Sequence, residues 1–394
     1  MTHASPSIPT RPIVAFAHHP WVEPEWMNRQ QLLSRLGKRG WPVAYSFGAL
    51  DWWQRKSAQW NASPLFNRVE ERDGIRDIVP GRLGARWKRH LVFDRMAVAR
   101  HARFMRSTVA PPNERIIALL FDPQFYPYIE HLQPCDVVFH AYDAYANQSG
   151  WSEEKAAFQA ALVRQAALVT ASSEAIARYL GDPKVKVLPN GADFEAFSDG
   201  PSQPEPEDLR NIPHPRLGYI GAINRKVDMA LVATLARMNP AWQWVLVGRV
   251  ERNELLTDDY NAIPFTECEA LPNVHFLGQK DRRQVPAYVG HMDVNTMCYR
   301  ATGEGWWTAI SPLKLHEYLA CKHPVISSPI EAVKPFSDVV GIFDGVDAWS
   351  KGIRFALESD SSELARERHD VAARNSWDAR VGLWEEWLRD IRIC

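Results

Sequence analysis

Short apolar segments alternate with segments of helical periodicity along the whole chain, and this alternation limits the fold to the α/β class. Residues 13–17 are an apolar run, 28–39 repeat leucine on one helical face, and 43–47 are a second apolar run. A strand, a helix and a strand in this order form a βαβ unit with parallel strands. The pattern continues to residue 188 and starts again at residue 217. We therefore predict two doubly wound domains, each built on a parallel sheet.

A polar segment separates the two series of strands and helices. Residues 199–215 are rich in proline, serine and acidic side chains, which is typical of a linker. We therefore predict an N-terminal domain over residues 1–198, a linker over 199–215 and a C-terminal domain over 216–375. A final helix, 376–394, is expected to cross back to the first domain. A chain of 394 residues is too long for one core, which agrees with two domains.

Composition excludes several classes of protein. The formal net charge is −1, so bulk charge gives no attraction to nucleic acid, and we expect no nucleic-acid partner. Five cysteines without a Cys-x-x-Cys pair favour a reducing compartment and argue against a disulfide framework. The sequence has no apolar run of the ~20 residues that span a bilayer, and residues 1–12 lack the apolar stretch of a signal peptide. We therefore expect a cytoplasmic protein.

Several cofactor motifs are missing from the sequence. No Gly-x-Gly-x-x-Gly follows the first strand, which argues against a dinucleotide cofactor, and no P-loop motif occurs. The sequence has no Asp-x-Asp and no histidine or cysteine cluster with the spacing of metal ligands. We expect activity that needs no metal and no bound cofactor.

The segment 310–328 combines a short helix and a strand with two charged residues near the helix start. Pro312 predicts the start of the helix and Pro324 lies just beyond its end. Lys314 and Glu317 are three residues apart and share one face. A lysine near a helix N-terminus attracts phosphate, and a carboxylate one turn further can accept from two vicinal hydroxyls. The pair suits a nucleoside diphosphate; the alternative is a surface ion pair on an ordinary helix.

The loop after the first strand contains two histidines and a tryptophan, in the run His18-His19-Pro20-Trp21. Parallel sheets bind ligands at the carboxyl ends of their strands, so His18 and His19 are site candidates. The alternative is a solvated turn. Tryptophan is frequent in this chain, and its flat faces suit sugar rings but also fill cores. We expect Trp21 and Trp306 to line the acceptor site or the cleft beside it.

Residues 82–106 form a basic segment in which apolar side chains interleave with arginines. Asp94 is the one acidic residue in it. Such a pattern suits an amphipathic helix that docks on anionic lipid or on an acceptor carrying pyrophosphate. The alternative is an ordinary solvated helix face. The segment is therefore a candidate for peripheral contact with the inner face of the cytoplasmic membrane.

Several segments together resemble the group 1 (GT4-like) glycosyltransferases. Each is short, but they follow in the family's order and spacing. The first is the "lpNGvD"-like turn 188–193, and the others are 217–223, 244–248, 273–278 and 312–320. The resemblance implies the GT-B fold, in which two Rossmann-like domains face each other across a cleft.

The resemblance also implies that the C-terminal domain binds a nucleotide sugar, with UDP, GDP or dTDP as the nucleotide. Arg225 and Lys314 would neutralise the diphosphate, and Glu317 would accept from the ribose hydroxyls. Gly221 would let the backbone approach the diphosphate where a side chain would clash. The other positions beside the nucleotide would be Gly248, Arg249 and Gly278. For Arg225 and Arg249 the alternative is an ordinary solvent-facing loop charge.

The stereochemistry of the implied transfer depends on one departure from the family pattern. Retaining members carry a glutamate eight positions before the one matched by Glu317, and Ala309 stands there. The segment 312–318 also resembles the inverting glucuronosyltransferases of exopolysaccharide synthesis, which use an aspartate base at the end of an N-domain strand. Asp143 matches that base, unless it caps a helix. In a retaining enzyme His140 would instead contact the donor sugar.

We therefore expect a glycosyltransferase that moves a sugar from a nucleotide diphosphate sugar to a hydroxyl of a glycan or lipid-linked glycan. The process would be the synthesis of a bacterial cell-surface polysaccharide, with inversion. Two other functions fit the same fold: a sugar-nucleotide 2-epimerase, and a non-catalytic protein that docks on membranes or binds sugar. The Lys314 and Glu317 pair argues against the last of these, because a docking module needs no nucleotide pocket.

Overall fold

The chain folds into two compact α/β units in the computed structural model, which describes residues 10–22, 26–143, 145–147, 151–300 and 312–391. Unit 1 contains the described residues up to Pro189 together with those from Arg380 onward, and unit 2 runs from Asn190 to Ala379. The predicted α/β class with two parallel-sheet domains is confirmed.

Unit 1 is built on a sheet of eight strands in the described part of the chain, in the order β3-β4-β2-β1-β5-β6-β7-β8. All neighbours are parallel except β3 and β4, which form an antiparallel hairpin at one edge. The central strands β1 and β5 are buried along their whole length, which explains their continuous apolar sequences. The strands are β1 (Ile13–Phe16), β2 (Val43–Ser46), β3 (Arg68–Arg72), β4 (Ile75–Val79), β5 (Ile116–Leu120), β6 (Cys135–Ala141), β7 (Leu168–Ala171) and β8 (Lys186–Val187).

The helices of unit 1 follow the strands as crossovers, and serine side chains cap several of them. Ser57, Ser152 and Ser173 each accept a hydrogen bond from a backbone N–H in the first helical turn. The longest helix packs one face of its middle and end on the sheet, through residues such as Val98, Ala102 and Met105. The helices are α1 (Asn28–Lys38), α2 (Ala58–Ala62), α3 (Leu91–Val109), α4 (Glu153–Gln165) and α5 (Glu174–Leu180).

Unit 2 is built on a sheet of six described strands, all parallel, in the order β11-β10-β9-β12-β13-β14. Its core is one apolar cluster that includes Trp244 and Tyr219. The strands are β9 (Arg216–Ile220), β10 (Gln243–Val247), β11 (Val274–Gly278), β12 (Val294–Met297), β13 (Val325–Ser327) and β14 (Gly341–Ile342). The helices are α6 (Phe194–Ser198), α7 (Met229–Met238), α8 (Arg252–Leu256), α9 (Ala262–Ala270), α10 (Val285–Gly290), α11 (Lys314–Ala320), α12 (Val346–Ser359), α13 (Ser362–Arg374) and α14 (Trp377–Arg389).

The boundary between the units lies at Pro189, before the predicted linker, because the segment 199–215 is fixed to unit 2. The buried guanidinium of Arg216 donates to the carbonyls of Leu209 and Ile212 at 2.8 Å each and to Glu205 at 2.6 Å. A polar, proline-rich segment can therefore be an ordered strap when one buried arginine satisfies its backbone carbonyls.

Helix α14 begins in unit 2 and ends in unit 1. Its Trp384 and Leu388 are buried in unit 1. Glu385 accepts hydrogen bonds from Trp41 Nε1 at 2.8 Å and from Arg39 at 3.2 Å. From Arg380 onward the helix therefore belongs to unit 1.

None of the described helices combines the length and the apolar character that a membrane span requires.

Candidate functional site

Three neighbouring strands of unit 2 lead to the glycines Gly221, Gly248 and Gly278, and backbone hydrogen bonds join these strand ends at the carboxyl edge of the sheet. Gly221 N–H donates to Val247 O at 2.8 Å, and Gly248 N–H donates to Gly278 O at 2.9 Å. Gly221 and Gly248 have φ of +141° and +148°, which side chains rarely allow. A Cβ on Gly248 would lie 2.1 Å from Gly221 O. These turns therefore need glycine for close backbone packing as well as for their dihedral angles.

Lys314, the first residue of α11, has its amine against the Gly221 turn. A Cβ on Gly221 would lie 2.7 Å from Lys314 Nζ. The amine is 3.6 Å from the centroid of the Tyr219 ring and 5.6 Å from that of Tyr299. The residue as a whole is half-buried, but its Nζ is buried and has no hydrogen-bond partner among the described residues. Burial, with a smaller contribution from nearby Lys226, lowers the pKa of Lys314 well below its ordinary value.

Glu317 lies one turn further along α11 and is half-buried. Burial raises the pKa of Glu317 to about 7, although Lys314 and Arg282 act in the opposite direction. Arg282 is itself 3.1 Å from Asp193. The described residues show no ion pair between Lys314 and Glu317, and neither lies on an ordinary solvated face. The arrangement therefore differs from a surface ion pair, which was the alternative interpretation of this segment.

Tyr318 fixes α11 to the end of β9. Its buried hydroxyl accepts from Ile220 N–H at 2.8 Å and lies 3.2 Å from Ile220 O, to which it donates. Because Ile220 precedes Gly221, this pair of hydrogen bonds holds Lys314 at the glycine turn. Sequence analysis did not single out Tyr318, although its spacing of four from Lys314 was an available signal.

Arg225 and Arg249, predicted at the diphosphate, lie on exposed loops and pair with carboxylates. Arg225 Nε is 3.1 Å from Glu254, and an Arg249 guanidinium nitrogen is 2.7 Å from Glu251. Exposed pairs of this kind contribute little and exchange readily. Gly278, with φ of +70°, has no atom within 4 Å of a built Cβ, so its dihedral angle alone requires glycine. Lys226, missed in the sequence, acts on Lys314 as a second nearby cation.

Asp143 and His140 lie at the carboxyl end of β6 in unit 1. Asp143 is exposed, two residues beyond the strand. His140 is 1% exposed, with Nδ1 2.8 Å from Thr170 Oγ1 and its ring 5.5 Å from Phe121 and 5.8 Å from Trp384. Burial lowers the pKa of His140 to about 3, so the imidazole is neutral. Its Nε2 is buried without a hydrogen-bond partner among the described residues.

His18 and His19 line a cavity of about 190 Å³ at the carboxyl ends of β1 and β2 in unit 1. His18 Nδ1 is 2.7 Å from Gln124 Nε2, which also donates to Asp122 at 3.2 Å. Burial lowers the pKa of His18, and the charge of Asp122 acts in the opposite direction. Asp51, Gln54 and Gln59 and the cations Arg86 and Lys88 also line the cavity. Asp51, Gln54 and Gln59 were missed in the sequence because they belong to no motif, whereas Arg86 and Lys88 were predicted only as part of the basic segment 82–106.

Of the two tryptophans expected at the ligand site, the structure describes Trp21. Trp21 is 2% exposed, its ring meets Tyr45 edge to face at 5.1 Å, and its Nε1 donates to Asp73 at 2.8 Å. The structure therefore places Trp21 in the packed interior of unit 1, where it cannot reach a ligand. The sequence alone could not separate the two uses of tryptophan. Trp306 lies outside the described residues, as does Ala309.

Comparison with known proteins adds to this geometry. Residues 214–367 match the family Glycosyl transferases group 1. The chain is 30% identical over 173 residues to TuaH of Bacillus subtilis (strain 168), which is provisionally named as a teichuronic acid biosynthesis glycosyltransferase. That match spans 42% of this chain and 41% of the relative.

Solved structures cover nearly the whole chain at low identity. An α,α-trehalose-6-phosphate synthase from Burkholderia multivorans has a TM-score of 0.63 at 11% identity and covers 97% of this chain and 99% of its own. A sucrose-phosphate synthase from Thermosynechococcus elongatus has a TM-score of 0.62 at 16% identity, with the same coverage. Likeness at this identity establishes the fold alone. The chain therefore has the GT-B fold that its sequence predicted, and its residues 214–367 are similar to the group 1 glycosyl transferases.

Proposed function

We propose that this protein is a glycosyltransferase that binds a nucleotide diphosphate sugar in unit 2. The observation that carries the proposal is the buried amine of Lys314, which lies against the Gly221 turn without a hydrogen-bond partner among the described residues. A buried ammonium needs an anion beside it, and burying one without a partner costs stability. An anion at the carboxyl edge of the sheet would supply that partner.

A diphosphate fits this place better than a single carboxylate does. The Lys314 amine lies beside the Gly221 turn, and Lys226 adds a second cation near Lys314. Arg225 and Arg249 can exchange their exposed glutamate partners for phosphate oxygens. When the sugar departs, negative charge grows on the diphosphate. Cations held in fixed positions then stabilise the transition state more than the bound donor.

Glu317 suits the ribose of the same nucleotide. Its carboxyl group lies one helical turn from the amine that would hold the diphosphate. A carboxylate can accept from both hydroxyls of a ribose, and an ammonium or arginine nearby favours its charged form. Burial raises the pKa of Glu317 to about 7, whereas Lys314 and Arg282 act in the opposite direction and favour the carboxylate that this role needs.

We propose Asp143 as the base of an inverting transfer. Its position at an exposed strand end supports this role, because a base must meet the acceptor hydroxyl. A retaining transfer would instead use His140 as a donor contact. His140 is enclosed by Phe121 and Trp384, and its imidazole would have to become accessible first. The burial of His140 therefore favours Asp143.

The acceptor would be a glycan or a lipid-linked glycan in the synthesis of a bacterial cell-surface polysaccharide. The cavity beside His18 and His19 has the polar lining that hydroxyl-rich molecules need. The relative assigned to teichuronic acid biosynthesis supports the same class of acceptor. We place this reaction at the cytoplasmic side of the membrane, where nucleotide sugars are made.

Calorimetric titration with UDP, GDP, dTDP and inorganic pyrophosphate tests the donor site. We expect at least one nucleoside diphosphate to bind, and Lys314→Met to weaken that binding by about 1.5–3 kcal/mol, the value of a charge-assisted hydrogen bond. Lys351→Met, on the exposed face of α12, is the matched control and should bind normally. If none of the four ligands binds, or Lys314→Met binds as the native protein does, the proposal is wrong.

A further inference from the structure

Unit 1 exposes an unusual number of large apolar side chains in one region. More than half of the exposed large hydrophobic residues of the described chain lie between Trp52 and Met96. At the start of α3, Leu91, Val92 and Phe93 are 75%, 70% and 62% exposed. Three consecutive exposed apolar residues in a helix cannot all serve packing within the unit. Monomeric proteins rarely keep such a patch unless it binds something.

Contacts join two separate segments into one surface, which we call the apolar-basic surface and define as the exposed side chains of residues 52–56 and 87–96. Trp52 stacks with Trp87 at a centroid distance of 6.3 Å. The guanidinium of Arg89 lies 4.5 Å from the centroid of Trp53. Backbone hydrogen bonds between Trp52 N–H and Arg86 O, and between Arg86 N–H and Leu50 O, hold the segments together. The surface is therefore built on fixed backbone.

The charge of this surface is positive. Asp94 is bound by Arg86 at 2.7 and 3.0 Å, and Asp51 by Lys88 at 2.9 Å, so both acids are neutralised. The described chain gives no carboxylate partner to the exposed Arg55, Lys56 and Arg89, and further along α3 the same holds for Arg100 and Arg103. Tryptophan rings beside uncompensated arginines and exposed aliphatic side chains are typical of surfaces that lie in the interface of an anionic bilayer.

We propose that the apolar-basic surface docks unit 1 on an anionic phospholipid membrane, which goes beyond the transfer reaction proposed above. Arginines and lysines would meet lipid phosphates while Trp53, Leu91 and Phe93 enter the headgroup region. A second copy of the chain is a poorer partner, because self-association would bring arginine against arginine. Gln54 and Lys88 of this surface also line the cavity beside His18. Docking therefore brings that cavity to the lipid headgroups, where a lipid-linked acceptor would present its polar end.

Co-sedimentation of the full chain with vesicles tests the proposal. We expect binding to vesicles of phosphatidylglycerol and phosphatidylcholine, and at least about tenfold weaker binding to phosphatidylcholine alone or at high salt. Leu91→Ser with Phe93→Ser should weaken binding at least about tenfold, and Arg89→Glu with Arg95→Glu should do the same and reduce the salt dependence. The matched control is Ile263→Ser with Phe355→Ser, which removes two exposed apolar side chains from unit 2 and should bind normally.

Three outcomes would overturn the proposal: no sedimentation of the native chain, native binding by both unit 1 variants, or equal loss in the unit 2 control. Sedimentation velocity without vesicles should show the same species for all variants. A dimer of the native chain that dissociates in the variant carrying Phe93→Ser would assign the surface to a second copy instead. Should the double variant not fold, Trp53→Ser alone replaces it. Nucleoside diphosphate binding by unit 2 should be unchanged throughout, which separates failure of this proposal from failure of the proposed function.

Discussion

The Nζ of Lys314 lies 3.6 Å from the centroid of the buried Tyr219 ring, and the aromatic face is the contact that the described structure gives this amine in place of a hydrogen bond. A cation over an aromatic face is attracted to it, but less than its lost hydration is worth. The unliganded protein therefore stores a cost at this position that an anion would remove.

Lys314→Met should stabilise the unliganded protein. Methionine retains most of the apolar length of lysine and removes the unpaired amine, so we expect a gain of about 1–3 kcal/mol in the free energy of unfolding. Because the pKa of Lys314 is lowered on folding, this gain should be absent above the pKa of the unfolded chain, increase as pH falls from there toward the lowered pKa, and be constant at lower pH. Chemical denaturation over a pH series measures it. A variant less stable than the native protein at neutral pH would contradict this prediction.

Binding of pyrophosphate should take up a proton at Lys314. The pKa of this amine is low in the free protein and rises when an anion lies beside it, so affinity falls as pH rises between the two values. Calorimetry in buffers of different ionisation enthalpy counts the protons. Lys314→Arg, which stays charged throughout, should bind without that uptake and so corrects for the titration of the ligand itself. Equal proton uptake by both proteins would exclude Lys314 as the source.

Glu317→Gln should change the pH dependence of stability. The pKa of Glu317 is about 7 in the folded protein and about 4.3 in an unfolded chain. The contribution of this group to stability is therefore fully present below about pH 4 and is lost as pH rises through about 7. Glutamine does not titrate, so the free energy of unfolding of the variant should increase relative to that of the native protein between about pH 5 and 8. Urea denaturation at both ends of this range provides the measurement. The same change in the free energy of unfolding with pH for both proteins would contradict this prediction.

The same residue predicts a preference between nucleotides. If Glu317 accepts from both ribose hydroxyls, the native protein should bind a ribonucleoside diphosphate more tightly than its 2′-deoxy form. The preference should be about tenfold, as for one charge-assisted hydrogen bond. Glu317→Ala should lose most of this preference while its affinity for pyrophosphate stays close to native. Affinity lost equally for all three ligands would place Glu317 in the support of the site rather than at the ribose.

Tyr318→Phe tests whether the Tyr318 hydroxyl positions α11 for ligand binding in addition to stabilising the fold. Its hydroxyl is bonded to both backbone groups of Ile220, and its loss leaves a buried N–H unsatisfied at a cost of about 1–3 kcal/mol. Because these bonds hold α11 at the glycine turn, pyrophosphate affinity should fall as well. Tyr288→Phe is the control in the same unit. The Tyr288 hydroxyl donates to Asp208 at 2.6 Å and takes no part in holding α11 at the glycine turn. It should lose stability without losing affinity.

Asp143→Asn should keep nucleotide affinity and lower transfer at least about 100-fold, as expected when a general base is removed. The rate is measured as release of nucleoside diphosphate with a membrane-derived acceptor. Glu154→Gln, an exposed carboxyl change on α4, is the control and should transfer normally. Unchanged turnover in Asp143→Asn, with loss in His140→Asn, would favour the retaining alternative.

Elements with strong apolar patterns were predictable from the sequence, and elements that depend on distant partners were not. The apolar runs that form β1, β5 and β9 are strands buried along their whole length, as their continuous apolar sequences indicate. The hairpin β3–β4 was not predicted because every residue of β3 except Val69 is charged, so the strand lacks the alternation of apolar residues that indicates a strand. Its turn at Asp73-Gly74, where both residues have positive φ, was the signal to use.

The candidate site shows the same division. Lys314 and Glu317 could be predicted because they sit on one short helix between recognisable signals. The role of Tyr318 could not, since it depends on a contact with Ile220 far away in the sequence. Likewise the strap 199–215 has the composition of a linker, and only the buried side chain of Arg216 makes it part of unit 2. Long-range hydrogen bonds of single polar side chains leave no local pattern.

The path of α14 has a consequence for the synthesis of the chain. Unit 2 has all of its residues once Ala379 has left the ribosome, but the interior of unit 1 includes Trp384 and Leu388. Until this part of α14 emerges, His140 lacks the ring of Trp384 and the indole of Trp41 lacks the carboxylate of Glu385. Unit 1 is therefore translated first and completed last, and the nascent chain must carry an unfinished domain while the later one folds.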